Sequence, residues 1–300
     1  MIVCARRYFM YPKPLFEIFG RGIYAYGICM AVGIIACFAF LMLTMKYKKF
    51  SEASADSILL IGIFGTGFGL LSGILFQGMY NLIDTGKFSM DGMTFIGGLI
   101  GGVVSFLAVW NIYMYVVRPR AKAKWLTAEM NATLTDALPF IPIGIAIAHA
   151  FGRLGCFFAG CCYGKEVPWG LHCSSATDIN GIRYTLDVNV MPTQLFEMSF
   201  LIVLAVAMAI LYFKFKFNYN FAVYSIGYGI WRFIIEFFRD DERGKFIGNV
   251  TPSQFWSIVM VLVGIGYIFA QYYYFSKLMK HPEREPEPKE EVVAEESSNA

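Results

Sequence analysis

Residues 192–213 read PTQLFEMSFLIVLAVAMAILYF, and this stretch decides the fold class. After the polar start at Gln194 and Glu197 it is almost continuously apolar. The hydrocarbon core of a bilayer is about 30 Å thick and is crossed by about 20 mostly apolar residues in a helix. Because lipid offers no partner to an unpaired backbone amide, a run of this kind must be helical. The stretch therefore predicts a transmembrane helix with polar residues at one end.

Six further stretches meet the same criterion. The seven predicted spans are approximately 22–45, 57–82, 93–117, 137–160, 192–213, 219–238 and 252–275. Hydrophobic residues make up 57% of the 300 residues and charged residues only 16%, too few to cover a water-soluble surface. The predicted fold class is an all-α integral membrane protein with seven transmembrane helices. This composition excludes a soluble Rossmann or TIM-barrel enzyme, a disulfide-dense secreted scaffold and a disordered adaptor.

The orientation of the chain is predicted from Lys and Arg in its short loops. The loops after the first, third, fifth and seventh spans contain eleven basic residues, which are Lys46, Lys48, Lys49, Arg118, Arg120, Lys122, Lys124, Lys214, Lys216, Lys277 and Lys280. The opposite loops contain six, which are Lys87, Lys165, Arg183, Arg239, Arg243 and Lys245. This asymmetry predicts an outside N-terminus and a cytoplasmic C-terminus.

Three regions follow from this topology. Residues 1–21 are predicted to form an outer amphipathic arm, and residues 22–280 the seven-helix domain, with an outer loop at 161–191. Residues 281–300 contain seven Glu against one Arg and one Lys, and they are predicted to be a disordered cytoplasmic tail because such a segment cannot bury a core. No aromatic-interleaved basic patch or nucleic-acid motif occurs, so no nucleic-acid partner is expected.

Polar residues interrupt three of the spans at one predicted depth. A charge in the hydrocarbon core costs at least about 2.5 to 3.5 kcal/mol, so each one needs a reason. Residues four apart share a helix face. The polar sets are His149 and Arg153, Gln194 and Glu197, and Arg232, Glu236 and Arg239. One interpretation is that these residues only neutralise each other. The other is that three arginines against two carboxylates leave a positive surplus that binds the phosphate of an anionic phospholipid entering from the outer leaflet.

Glycines crowd the second and third spans. They are Gly62, Gly65, Gly67, Gly69 and Gly73, followed by Gly97, Gly98, Gly101 and Gly102. Close helix packing is one explanation. A backbone exposed to a ligand is the other.

Four of the seven cysteines cluster within 18 residues at the predicted outer end of the fourth span. They are Cys156, Cys161, Cys162 and Cys173. A disulfide involving Cys173 suits an oxidising exterior. Cys156, Cys161, Cys162 and His172 could instead bind zinc, although the spacing matches no paired CxxC pattern. A reactive thiol beside Arg153 and passive packing are the remaining interpretations.

Several blocks of this sequence resemble the prolipoprotein diacylglyceryl transferase family, seven-span enzymes of the bacterial inner membrane. The resemblance covers most of residues 22–275. Its blocks are Gly152-Arg153-Leu154-Gly155-Cys156-Phe157 with Gly160 to Gly164, Pro192-Thr193-Gln194-Leu195-Phe196-Glu197, and Tyr228-Gly229 through Arg232, Glu236, Phe237, Phe238 and Arg239. Weaker similarities are Tyr26-Gly27 with Gly33, Gly97-Gly98-Leu99 and Ser253-Gln254.

The resemblance implies transfer of the diacylglyceryl group from phosphatidylglycerol to the lipobox cysteine thiol of a prolipoprotein, with release of glycerol phosphate. It implies that Arg153 and Arg232 hold the phosphate and stabilise the charge on the leaving group. The residues that it implies for the lipid headgroup pocket are Tyr26, Gln194, Glu197, Glu236 and Arg239, and Gly97 and Gly98 are further predicted substrate-binding residues. It implies no metal or organic cofactor, and a multi-pass location in the bacterial cytoplasmic membrane.

The sequence departs from the family pattern at positions expected to act on the acceptor cysteine. The family commonly has a His directly before Gly-Gly-Leu in the third span, as the proton acceptor for the attacking thiol, and this chain has Ile96. The signature Asn is Cys156, and a downstream carboxylate is absent around Gly160. His149, one turn before Arg153, is the predicted replacement base, and a structural His is the alternative. A related transferase with another acceptor, or a noncatalytic lipid-binding or transport protein, are the competing functions.

Overall fold

The computed structural model describes residues 13–18, 21–89, 95–121, 128–177, 183–240 and 250–277. Its seven long helices are α1 (Ala25–Tyr47), α2 (Glu52–Thr85), α3 (Phe95–Ile112), α4 (Ile141–Ala159), α5 (Thr193–Phe215), α6 (Asn220–Ile235) and α7 (Pro252–Lys277). Within these ranges, seven helices are long and apolar enough to cross a membrane, which confirms the predicted number of spans. The helix of α3 continues through a π-helical segment, Tyr113–Val117, to Arg120.

Close helix contacts are made where glycine removes the side chain. A Cβ atom on Gly69 of α2 would lie 3.0 Å from the carbonyl oxygen of Gly98 on α3. A Cβ on Gly33 of α1 would lie 2.7 Å from the Cβ of Phe151 on α4. Helix α4 also packs against α5 on its other side, so it lies between α1 and α5.

The largest cluster of buried apolar side chains joins α1, α4 and α5. Met45, Phe140, Ala146, Leu201 and Met208 are fully buried in it. Burying a side chain of this size stabilises the fold by about 1.5 to 3 kcal/mol. This cluster fixes α4 and α5 relative to each other and hence the polar residues at their adjoining ends.

The structure departs from the all-α prediction in two short antiparallel hairpins. Strands β1 (Phe16–Ile18) and β2 (Arg21–Ile23) precede α1, and part of the predicted arm at 1–21 lies outside the described residues. Strands β3 (Glu166–Thr177) and β4 (Arg183–Val190) form most of the predicted outer loop. The criterion of about 20 apolar residues in a helix does not detect strands of 3 to 12 residues.

The β3–β4 hairpin has its own small core at the end of α4. Cys173, Ala176 and Val190 are buried against Phe157 and Tyr163. The backbone of Lys165 donates to the carbonyl of Phe238 at 2.9 Å, just after α6. The hairpin therefore links the ends of α4 and α6 on the side where α5 begins.

Candidate functional site

The ends of three helices bring the polar residues together. Helix α4 ends, α5 begins and α6 ends around the β3–β4 hairpin. Arg153 lies in the last turns of α4, Glu197 in the second turn of α5 and Arg232 in the last turn of α6. The residues are far apart in sequence and meet because the three helix ends adjoin.

Arg153, Glu197 and Tyr228 form a closed triangle. The Nη2 atom of Arg153 lies 2.9 Å from Oε1 of Glu197, and their side chains are 15% and 1% exposed. The hydroxyl of Tyr228 donates to the same carboxylate oxygen at 2.7 Å and accepts from Arg153 Nη2 at 3.2 Å. The triangle holds one face of the guanidinium in a fixed orientation.

Arg232, Glu236 and Arg239 form a second buried cluster. Nη2 of Arg232 lies 2.8 Å from Oε2 of Glu236 and donates to Oγ of Ser253 at 2.8 Å. Nε of Arg239 lies 3.9 Å from the same Glu236 oxygen. The hydroxyl of Thr251 donates to Oε1 of Glu236 at 2.9 Å. One carboxylate is thus shared by two guanidinium groups.

The charged side chains of the two clusters interact electrostatically with one another. Glu197 is within range of the charges of Arg153, Arg232 and Arg239, and Arg232 is within range of Arg153. Three guanidinium groups face two carboxylates, so these five residues carry an excess positive charge. The structure therefore brings together the arginines and carboxylates that the sequence predicted to converge.

Arg153 and Arg232 each have one buried N–H group that donates to no acceptor among the described residues. Nε of Arg153 and Nη1 of Arg232 are inaccessible and have no hydrogen-bond partner among the described residues. A buried donor without a partner costs about 1 to 3 kcal/mol, and more for a charged group. Donors of this kind, in a field with excess positive charge, indicate a place for an anionic acceptor such as a phosphodiester.

Side chains at the start of α5 form hydrogen bonds to the backbone of the turn that follows α4. Thr193 Oγ1 donates to the carbonyl of Cys162 at 2.8 Å, and Gln194 Nε2 donates to the carbonyl of Cys161 at 2.8 Å. Oε1 of Gln194 is buried with no hydrogen-bond partner in the described part of the chain. Gln194 thus connects the turn at Cys161 and Cys162, called the cysteine turn below, to the helix that carries Glu197.

The cysteine turn itself is a helix C-terminus folded back on its last turn. Gly160 has a left-handed φ of 68°, and the amide of Cys161 donates to the carbonyl of Cys156 at 3.2 Å, a Schellman arrangement. Because the chain doubles back, the Sγ atoms of Cys156, Cys161 and Cys162 all lie within 4.8 Å of one another. We call these three residues the thiol cluster.

The other two members of the predicted cysteine and zinc sets lie elsewhere. Cys173 is a fully buried thiol that donates to the carbonyl of Ser175 at 3.2 Å, and burial raises its pKa above the ordinary value. Nε2 of His172 lies 3.2 Å from Oδ1 of Asp187 across the hairpin, so it does not join the thiol cluster. All the described cysteines are present as thiols rather than disulfides.

His149 lies one turn before Arg153 among tyrosines. Its ring meets the ring of Tyr228 edge to face at 4.6 Å, and its Nδ1 lies 3.0 Å from the hydroxyl of Tyr224. Tyr26 on α1 faces α4, where a Cβ on Gly155 would lie 3.0 Å from the Tyr26 ring. Both residues therefore border the Arg153 region, and the roles predicted for them toward a substrate stay predictions.

Gly97 and Gly98 are packed against α2. A Cβ on Gly97 would lie 2.5 Å from the Cβ of Phe76, and one on Gly98 would lie 3.2 Å from the carbonyl oxygen of Gly69. Helix packing accounts for glycine at both positions, and their contact with a substrate stays a prediction.

The structure has an apolar groove of about 420 Å³, and two of its lining residues, Leu154 and Met198, directly follow Arg153 and Glu197 in sequence. Its lining residues come from α1, α4 and α5 and are Phe40, Ile143, Ile147, Ala150, Phe151, Leu154, Met198, Ile202, Ala205, Val206 and Ala209. Ile202 and Val206 are about half exposed, so the groove faces the surroundings of the helix bundle. The groove has no counterpart among the features predicted from the sequence.

Several residues that contact the candidate site were not predicted from the sequence. Tyr228, Ser253 and Thr251 complete the two clusters. Tyr224 contacts His149. None of the four was predicted to be a site residue. The available signal was that Tyr228 lies four residues before Arg232 and so shares its helix face.

Comparisons with known proteins agree with the resemblance. A family model described as prolipoprotein diacylglyceryl transferase matches residues 13–270. The phosphatidylglycerol–prolipoprotein diacylglyceryl transferase of Clostridium tetani is 32% identical over 84% of this chain and 95% of its own. A second such transferase, from Clostridium perfringens, is 31% identical over 83% and 91%, and the one from Pasteurella multocida is 27% identical over 86% and 92%.

Proposed function

Because this chain belongs to the prolipoprotein diacylglyceryl transferase family, we propose that it transfers the diacylglyceryl group of phosphatidylglycerol to the cysteine thiol of a prolipoprotein. Glycerol phosphate is the other product. The observation that carries this proposal is the pair of buried, unused donors on Arg153 and Arg232. They are of the type that a phosphodiester accepts from, and they lie in a site with excess positive charge.

The two arginines have a role in the chemical step. When the bond between the glyceryl carbon and the phosphate oxygen breaks, negative charge collects on the phosphate. Preorganised cationic donors stabilise that charge more than they stabilise the intact diester, which lowers the barrier. Glu197 and Tyr228 hold the Arg153 guanidinium in place, and Ser253 and Glu236 do the same for Arg232. Gln194, with a buried carbonyl oxygen, is suited to accept from a headgroup hydroxyl.

The membrane orientation belongs to the same proposal. Eleven basic residues against six favour an outside N-terminus and a cytoplasmic C-terminus in the bacterial inner membrane. In that orientation the ends of α4 and α6 and the start of α5 lie toward the outer leaflet. Phosphatidylglycerol would then reach the site sideways from that leaflet.

The apolar groove is suited to an acyl chain of the donor lipid. It runs from Met198 to Ala209 along α5, about 16 Å at 1.5 Å per residue. That length is close to half of a hydrocarbon core about 30 Å thick. Because the lining residues Leu154 and Met198 directly follow Arg153 and Glu197, an acyl chain in the groove is compatible with a phosphate bound by the arginines.

Filling the far end of the groove should change the acyl-chain preference. Ala209→Phe is expected to lower turnover of long-chain phosphatidylglycerol roughly tenfold, since excluding two methylenes forfeits about 0.8 kcal/mol each. Short-chain phosphatidylglycerol should be turned over normally. The measurement is the ratio of kcat/KM for the two lipids. Ala207→Phe, on an exposed position of the same helix, is the matched control, and an equal ratio in both variants would contradict the acyl-chain role.

The variant His149→Gln distinguishes a general base from a purely structural histidine at this position. If His149 accepts the thiol proton, the variant should insert and fold normally but lose turnover by about 10²- to 10⁴-fold, the range typical of a general base. If the ring only supports Tyr224, the Gln amide can keep that hydrogen bond and activity should stay high. The rate of peptide modification, measured across pH, decides between them.

The proposed function is tested with purified protein, labelled phosphatidylglycerol and a lipobox peptide. The expected result is a diacylglyceryl thioether on the peptide cysteine together with released glycerol phosphate. Release of glycerol phosphate only in the presence of a different acceptor would show that the prolipoprotein thiol is not the acceptor. Absence of turnover with every acceptor would leave only a lipid-binding role.

A further inference from the structure

The thiol cluster has the composition of a site for a soft cation. Its three Sγ atoms lie within 4.8 Å of one another on half-buried side chains. A tetrahedral Zn²⁺ with Zn–S bonds of about 2.3 Å requires sulfurs about 3.8 Å apart. The sulfurs therefore need to approach by about 1 Å at most, a change within reach of small side-chain rotations.

The backbone around the cluster is held in an unusual conformation. Cys162 has a left-handed φ of 66°, which costs a non-glycine residue roughly 1 to 2 kcal/mol. Glycine would remove this cost, yet the position carries a thiol. The hydrogen bonds from Thr193 and Gln194 fix the carbonyls of Cys162 and Cys161, so the turn is braced by the same helix that carries Glu197.

The cluster adjoins the phosphate end of the candidate site. Cys156 follows Arg153 by three residues and therefore lies on the same face of α4, and the charge of Arg153 is within range of Cys156 and Cys162. Tyr26 also lies within electrostatic range of all three thiols. A ligand bound at the cluster would therefore lie close to a lipid phosphate held by Arg153.

We propose that Cys156, Cys161 and Cys162 bind one Zn²⁺ as thiolates and that its open fourth position binds and activates the thiol of the acceptor cysteine. This inference rests on the proposed function and assigns a role to the residues at the acceptor end. Catalytic zinc sites commonly have three protein ligands and one position for water or substrate. A thiol that coordinates zinc is deprotonated outright, so the reaction needs no side-chain base at the position of Ile96.

The chemical step balances without an oxidant or a reductant. The acceptor thiol releases its proton to water as the sulfur binds zinc. The zinc-bound thiolate then attacks the glyceryl carbon of phosphatidylglycerol, and a carbon–sulfur bond forms. The bond from that carbon to the phosphate oxygen breaks, and its electron pair leaves with glycerol phosphate. The thioether product is a weaker ligand than a thiolate and dissociates from the metal.

The first experiment measures the metal itself. Full-length protein purified in detergent and incubated with Zn²⁺ should retain one zinc ion per chain after desalting, measured by mass spectrometry of the metal content. The variant C156S/C161S/C162S should retain none, and C37S/C173S, which changes two cysteines outside the cluster, should bind like wild type. Wild-type protein without stoichiometric zinc would overturn the proposal.

The second experiment needs no variant. Co²⁺ in place of zinc should give sulfur-to-cobalt charge-transfer absorption, which should change when a lipobox peptide is added and stay unchanged with a peptide whose cysteine is serine. A spectrum insensitive to the peptide thiol would leave only a structural metal and overturn the activation role.

The third experiment links the metal to turnover. The C161S protein should bind labelled phosphatidylglycerol normally but modify the peptide about 30-fold more slowly at pH 7, because a cysteine with a pKa of about 8.5 is only a few per cent thiolate there. Transfer at full rate by zinc-free protein would overturn the zinc role and leave the proposed function intact. Zinc and peptide-thiol binding without any transfer would leave the metal site intact and refute the proposed function.

Discussion

Replacing Arg153 by Lys is expected to lower kcat/KM by about 10²- to 10³-fold, the loss typical of removing one transition-state donor. Lys keeps the positive charge and can still pair with Glu197, so the buried carboxylate is not left alone. It cannot offer the planar fork of donors, and the Nε–H that Arg153 keeps unused is lost with it. The measurement is release of labelled glycerol phosphate at saturating lipobox peptide.

Two comparisons make this result interpretable. Arg232→Lys should cause a loss of similar size, because Nη1 of Arg232 is the second unused donor. Arg120→Lys changes an exposed arginine that donates to the carbonyl of Val116, and its activity should equal that of wild type. Wild-type turnover by R153K would show that the forked donor is not used on the phosphate.

The convergence of the charged residues could be predicted from the sequence because two simple rules act together. Membrane thickness sets the approximate length of each span, and the helical repeat fixes which side chains share a face. These two rules are enough to assign Arg153, Glu197 and Arg232 to one depth. They say nothing about which partner each guanidinium takes, and Tyr228 and Ser253 were accordingly missed as site residues.

The thiol cluster could not be resolved by the same rules. Whether three cysteines approach each other depends on a left-handed glycine, a chain reversal and two side-chain hydrogen bonds from α5. None of these has a periodic signal. The sequence predicted candidate zinc ligands with His172 among them, whereas the structure pairs His172 with Asp187. The β3–β4 hairpin escaped prediction because apolar and polar residues alternate only briefly between its bulges.

The ion pair between Arg153 and Glu197 is buried, so breaking it should lower the stability of the fold as well as the activity. Variants that remove one partner or both can distinguish these two effects. Glu197→Leu is expected to destabilise the fold by about 3 to 5 kcal/mol, because it leaves a buried guanidinium without its carboxylate. The unfolding temperature in detergent should fall and turnover should be lost. Glu197→Gln, which can still accept from Tyr228 and Arg153, should be much less destabilising.

The triple variant Arg153→Met/Glu197→Leu/Tyr228→Phe removes the whole triangle at once. Well-packed apolar side chains often replace a buried ion pair at no cost in stability, and the loss of the Tyr228 hydroxyl avoids an unpaired donor. The unfolding temperature should therefore return close to that of wild type. Turnover and phosphatidylglycerol binding should stay absent, because the guanidinium that we propose as the phosphate ligand is gone. A stable triple variant that still releases glycerol phosphate would mean that the triangle serves only the fold and that the lipid phosphate is bound elsewhere.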